Sequence, residues 1–115
     1  MISAVQTDTG MVREHNEDAY RLKLISGRIA YGIVCDGMGG VHGGKVASST
    51  AIDIVSQKIS KCYNPSMDIN NIENLLLSSI TTANCLVYDR GAGDKELEGM
   101  GTTIVAAICK NGEVC

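Results

Sequence analysis

The residues from Arg13 to Asp18 (REHNED) put a guanidinium, an imidazole and three carboxylates within six positions. In extended backbone, successive side chains point to opposite sides, so Arg13, His15 and Glu17 would share one side and Glu14, Asn16 and Asp18 the other. A carboxylate suits a hard divalent cation. A guanidinium presents a planar fork to a phosphate. One face holding both is what metal-assisted phosphate chemistry needs. Taken alone, the same six residues also read as a charged surface loop.

A second constellation runs from Val34 to Gly40 (VCDGMGG). An apolar run ends in one aspartate, Asp36, and glycines follow at once. A carboxylate at a strand tip is held rigidly. Gly37 lets the backbone turn sharply and bring a bare carbonyl toward a ligand, and hard cations accept carbonyl oxygen as well as carboxylate. The alternative is a glycine-rich turn leading into a helix. A nucleotide-phosphate cradle does not fit, because the segment matches neither GxGxxG nor GxxxxGK[ST]. A third feature, Gly99 to Thr103 (GMGTT), opens a late β-type run. Adjacent threonines favour strand, and by themselves they say only that a loop enters one.

The elements that must position these residues are legible from periodicity. Ile2–Thr7 reads as a first strand. In Ala19–Ile25, Tyr20, Leu22 and Leu24 alternate with Arg21 and Lys23, the period of a half-buried strand. Arg28–Cys35 is a mostly apolar run suited to a central strand, and Ser26-Gly27 between the two suggests a hairpin. After the glycines, Ala47, Ala51, Ile54, Val55 and Ile59 recur at helical spacing from Lys45 onward, and Tyr63-Asn64-Pro65-Ser66 ends that helix. A second helix carries Ile72, Leu76, Ile80, Ala83 and Val87 on one stripe, with Asn70 and Glu73 in the positions of a capping box. Asp89–Glu98 reads as a polar loop. Thr102–Cys109 reads as a strand and Asn111-Gly112 as a hairpin turn, with Glu113 starting a return strand. Strands, then helices, then strands again indicate an α+β fold.

Composition sets the outer bounds. The chain has 115 residues and is 44% hydrophobic, enough for one small domain with a core. It has no Trp or Phe and four Tyr, so packing rests on aliphatic side chains that each bury less area. That scarcity, and a return strand only three residues long, lead to the expectation that the chain is part of a larger folding unit. The ten Lys and Arg are scattered and the net charge is −3, which argues against nucleic acid as a partner. The five cysteines include no CxxC pair, so neither structural zinc nor a disulfide framework is expected. Cys35 and Cys109 read as small core residues, and reduced thiols suit a cytoplasmic protein. The N-terminus has no signal-peptide pattern and no apolar run is long enough to span a membrane.

Taken in order, RxxNED, VxDGMGG and GMGTT resemble the motifs of the protein phosphatase 2C family, the metal-dependent class, in its bacterial branch. Ala83-Asn84 and Tyr88 are similar to a further stretch of that family. The resemblance covers nearly the whole chain, but only about the first half of the family's domain. It implies two antiparallel sheets packed as a sandwich and flanked by helices, two of them within this chain. It further implies that Glu17 ligates one cation, that Asp36 bridges two, that Gly37 offers its carbonyl oxygen and that Arg13 holds the substrate phosphate. Asp18 would sit one shell out, accepting hydrogen bonds from metal-bound water. The implied reaction is hydrolysis of phosphoserine and phosphothreonine in proteins. Two Mg²⁺ or Mn²⁺ ions lower the pKa of a shared water, whose hydroxide attacks phosphorus in line. Met38 stands where some members carry a histidine proposed as the general acid, and a thioether cannot serve in that role. Lys45 replaces an acidic residue common after the glycine loop. The family's later aspartates have no counterpart here, so the 115 residues alone are expected to be inactive or nearly so. Phosphorylated proteins, and a serine/threonine kinase, are the implied partners. The other readings are a non-catalytic phosphopeptide- or partner-binding module, and a half-domain that self-associates through exposed strand edges.

Overall fold

A computed structural model describes residues 18–39 and 42–115. The strand expected at Ile2–Thr7 lies outside the described residues, as do Arg13 and Glu17. The described chain is α+β: β1 (Asp18–Ser26), β2 (Ile29–Met38), α1 (Gly43–Cys62), α2 (Ile69–Ala92), a short 3₁₀ turn (Lys95–Leu97), β3 (Gly101–Thr102), β4 (Val105–Lys110) and β5 (Glu113–Val114). The five strands form one antiparallel sheet in the order β1-β2-β4-β5, with β3 paired to β2 beyond the end of β4.

β2 is the central strand, and its alternation decides where the core lies. Ile29, Tyr31, Ile33 and Cys35 are buried. They pack with Ala47, Ala51, Ile52, Val55 and Ile59 of α1, with Ile72, Leu76, Ala83 and Val87 of α2, and with Ile108 of β4. Both helices therefore cover one face of the sheet. Inside this core the Tyr31 and Ser56 hydroxyls hydrogen-bond to each other, which satisfies the one aromatic group fully enclosed there. Ser79, also fully buried, returns its hydroxyl to the Leu75 carbonyl at 2.6 Å.

The alternation in β1 is as expected, but its apolar side turns away from the helices. The Arg21 side faces α1, where Nη2 meets Asp53 Oδ1 at 2.9 Å. Tyr20, Leu22 and Leu24 stay exposed, and with Val34 and Val105 they make an apolar outer face. The register explains this. Arg21 lies opposite Ile33, and Tyr20 opposite Val34, so burying β2's larger side chains commits β1 to present its charged side to the helices.

Several boundaries differ from the sequence reading. β2 runs on through Asp36 and Gly37 to Met38 rather than ending at Cys35, so Gly37 lies in paired strand opposite Thr102 and not at a sharp turn. α1 starts at Gly43 rather than Lys45; Gly43 and Gly44 are buried in its first turn, and a Cβ on Gly43 would stand 3.0 Å from the Met100 Cβ. α2 is capped by Asp68, whose carboxylate accepts from the Asn71 backbone N–H at 2.8 Å, so the Asn70–Glu73 pair is not the cap. α2 also runs on to Ala92, into the stretch read as a loop. The late β run is split at Thr103-Ile104. The Asn111-Gly112 turn forms as expected, with φ of +53° and +83° joining β4 to β5, the two-residue primed geometry. Cys109 is only partly buried, whereas Cys35 is fully enclosed.

Replacing Asp68 by Ala is expected to lower stability by about 1 kcal/mol in urea unfolding. Asn70→Ala, at an exposed non-capping position, should change it by less than about 0.5 kcal/mol.

Candidate functional site

The alternation that buries Cys35 sends Asp36 to the opposite face of the sheet, where it is exposed. β1 pairs in a register that sets Asp18 directly opposite Asp36. Facing cross-strand residues project from the same side, with Cβ atoms about 4.5–5.5 Å apart. Two carboxylates thus emerge together at one end of the apolar outer face. Like charges placed this way oppose each other, and a cation bound between them would reverse the sign of the interaction. Gly37 follows at once and pairs with Thr102. Two carboxylates and a glycine carbonyl are an all-oxygen donor set, the chemistry of Mg²⁺ or Mn²⁺ rather than of a soft metal. Among the described residues no three of His, Cys, Asp or Glu gather closely enough to enclose an ion, so the described residues fit a divalent cation as part of a ligand set.

The other flank of Asp36 is Thr103, which is read from the sequence as part of a strand entry and nothing more. The Asp36 N–H donates to the Thr103 Oγ1 at 3.1 Å, and the Thr103 N–H donates to the Asp36 carbonyl at 2.9 Å. The segment before Thr103 fixes the turn after Asp36. Gly39 has φ +118°, and a Cβ there would stand 2.7 Å from the Met100 Cα. Met100 also meets Gly43 at the start of α1 and Gly91 near the end of α2. One methionine thereby ties the glycine loop to both helices. Neither contact is marked in the sequence, since each depends on which segments come together.

Cys35 adjoins Asp36 but points into the core. Burial pushes its thiol pKa up, and a hydrogen bond with the Thr102 side chain works against that shift. A cleft of about 380 Å³ lined by Ala51, Asn84, Tyr88, Met100 and Thr102 opens on this same helix side, away from the paired carboxylates.

No family model matches the chain. Its relatives are informative. It is 33% identical over 114 residues, 99% of its length, to the serine/threonine phosphatase stp of Listeria innocua, covering 45% of that protein. It is 30% identical over 104 residues to a putative protein phosphatase 2C-type of Streptococcus pyogenes, covering 90% of the chain and 41% of that relative. The fold matches the S. agalactiae serine/threonine phosphatase with a TM-score of 0.82 and 28% identity over 95% of the chain and 44% of that structure. In sequence and in fold, the chain is similar to bacterial serine/threonine phosphatases, one of them of the protein phosphatase 2C type. It spans less than half the length of these relatives.

Gly39→Ala should destabilise the protein by about 1–3 kcal/mol in chemical unfolding, from its backbone conformation alone. The raised Cys35 pKa means less thiolate at pH 8, so iodoacetamide should label exposed Cys62 and Cys85 first and Cys35 last, as read by peptide mass spectrometry over time.

Proposed function

We propose that the protein removes phosphate from phosphoserine and phosphothreonine in other proteins with the help of Mg²⁺ or Mn²⁺, and that this chain supplies part of the catalytic domain. The observation that carries the reading is the in-register pairing of Asp18 with Asp36 beside Gly37. The names of the relatives support the same chemistry. In this reading the carboxylates of Asp36 and Glu17 would hold the cations, and the Gly37 carbonyl oxygen would add a neutral ligand. Asp18 orients water by accepting its hydrogen bonds. Arg13 grips the phosphate through its planar fork and offsets charge on the equatorial oxygens. The cations, when bound, make water a stronger nucleophile and stabilise the phosphoryl charge. No side chain of this set becomes phosphorylated. Substrates would be cytoplasmic phosphoproteins and the serine/threonine kinases that make them. Among the described residues no helix is long and apolar enough to cross a membrane.

A second reading is a module that binds phosphopeptides without turnover. Phosphate release from phosphothreonine peptides in Mn²⁺ separates the two. The full-length gene product should turn over, and Asp36→Ala should cut its rate at least about a hundredfold. The 115 residues alone should show little or no release. Turnover that survives Asp36→Ala would sink the phosphatase reading as built on this site.

A further inference from the structure

The sheet around Asp36 departs from an ordinary ladder at one point. Val34 faces Val105 and Gly37 faces Thr102, with two residues between on each strand, so the register runs on unbroken and puts Thr103 opposite Asp36. In a hydrogen-bonded antiparallel pair, to which the Thr103 N–H to Asp36 carbonyl bond assigns these two residues, N–H···O=C bonds run in both directions. Only one of those bonds is present, from the Thr103 N–H to the Asp36 carbonyl at 2.9 Å. The return bond, from the Asp36 N–H, goes to the Thr103 side-chain hydroxyl at 3.1 Å. The Thr103 carbonyl has turned aside and accepts from the Thr102 hydroxyl at 2.8 Å. The exchange falls within the break between β3 and β4.

We propose that Thr103 is a positioning residue for the cation site, its hydroxyl standing in for a backbone carbonyl to fix the Asp36 peptide between Asp18 and the loop. The inference rests on the reading of Asp36 as a cation ligand. Any residue can close a backbone ladder, whereas this arrangement needs a hydroxyl at position 103. Without it, the Asp36 N–H loses its acceptor and the strand is free to restore the plain ladder. That would rotate the peptides on either side of the Asp36 carboxylate and the Gly37 carbonyl.

The test titrates Mn²⁺ alone into the 115-residue chain and reads paramagnetic broadening in ¹H–¹⁵N spectra, which registers weak binding without any assay of turnover. In the parent chain, broadening should centre on Asp18, Asp36 and Gly37, and Asp36→Ala should remove it. Thr103→Val keeps the shape and loses the hydroxyl, and should weaken Mn²⁺ binding about 10–100-fold. Thr103→Ser should restore it to within about twofold. Thr82→Val, a remote hydroxyl on α2, should leave binding unchanged. Should Thr103→Val fail to fold, Thr103→Ala takes its place against the same serine rescue. Parent-like binding in the folded variant that lacks the hydroxyl overturns the positioning role while leaving the cation site standing. Equal broadening in the parent and in Asp36→Ala overturns both.

Discussion

Two carboxylates face each other across neighbouring strands, Asp18 on β1 and Asp36 on β2, and the other features of the site follow from that meeting. An antiparallel sheet fixes such a pair without help from loops. Once Tyr31, Ile33 and Cys35 are committed to the helices, Asp36 must leave by the other face, and the hairpin register brings Asp18 beside it. The helices act at a distance. They contribute no carboxylate to the pair, but they choose which face of β2 is buried, and so they choose where the charge emerges.

The second constraint is the approach of residues 99–103 to the end of β2. Thr103 holds both sides of the Asp36 peptide, and Met100 fills the space that Gly39, Gly43 and Gly91 leave open. Gly39 and Gly43 thus meet a neighbour far along the chain, Met100, rather than a bound phosphate. The same contact explains why α1 begins two residues earlier than its hydrophobic period indicates. A bare backbone at the first turn lets the methionine in, and helical geometry tolerates glycine there because the turn is held from outside.

Much of this was legible in the sequence. The hairpin, both helices and the Asn111-Gly112 turn follow from local pattern, because period and turn chemistry are properties of neighbouring residues. Asp36 is expected at a strand tip, but β2 continues through it to Met38, because residues 101–102 pair with its last two residues. What escaped the reading depends on pairing. Which side of β1 is buried is set by β2, and the Arg21–Asp53 contact then lets a charged side chain face the helices. The α2 cap moved from Asn70 to Asp68 because both are good capping residues and only the fold of the preceding turn decides between them. Thr103 looked like an ordinary strand residue because a hydroxyl that replaces a carbonyl leaves no mark in composition or spacing.

The outer face of the sheet carries a further consequence. Tyr20, Leu22, Leu24, Val34 and Val105 present oily side chains to water on the side from which Asp18 and Asp36 project. Whatever settles over those side chains drives solvent from beside the two acids as well. As the surroundings become less polarisable, the mutual repulsion of the acids grows, and so does their joint pull on a positive ion. If the pair holds a cation as proposed, its affinity and the shielding of the sheet would be coupled through the local dielectric, the stronger attraction set against the cost of removing water from the charges.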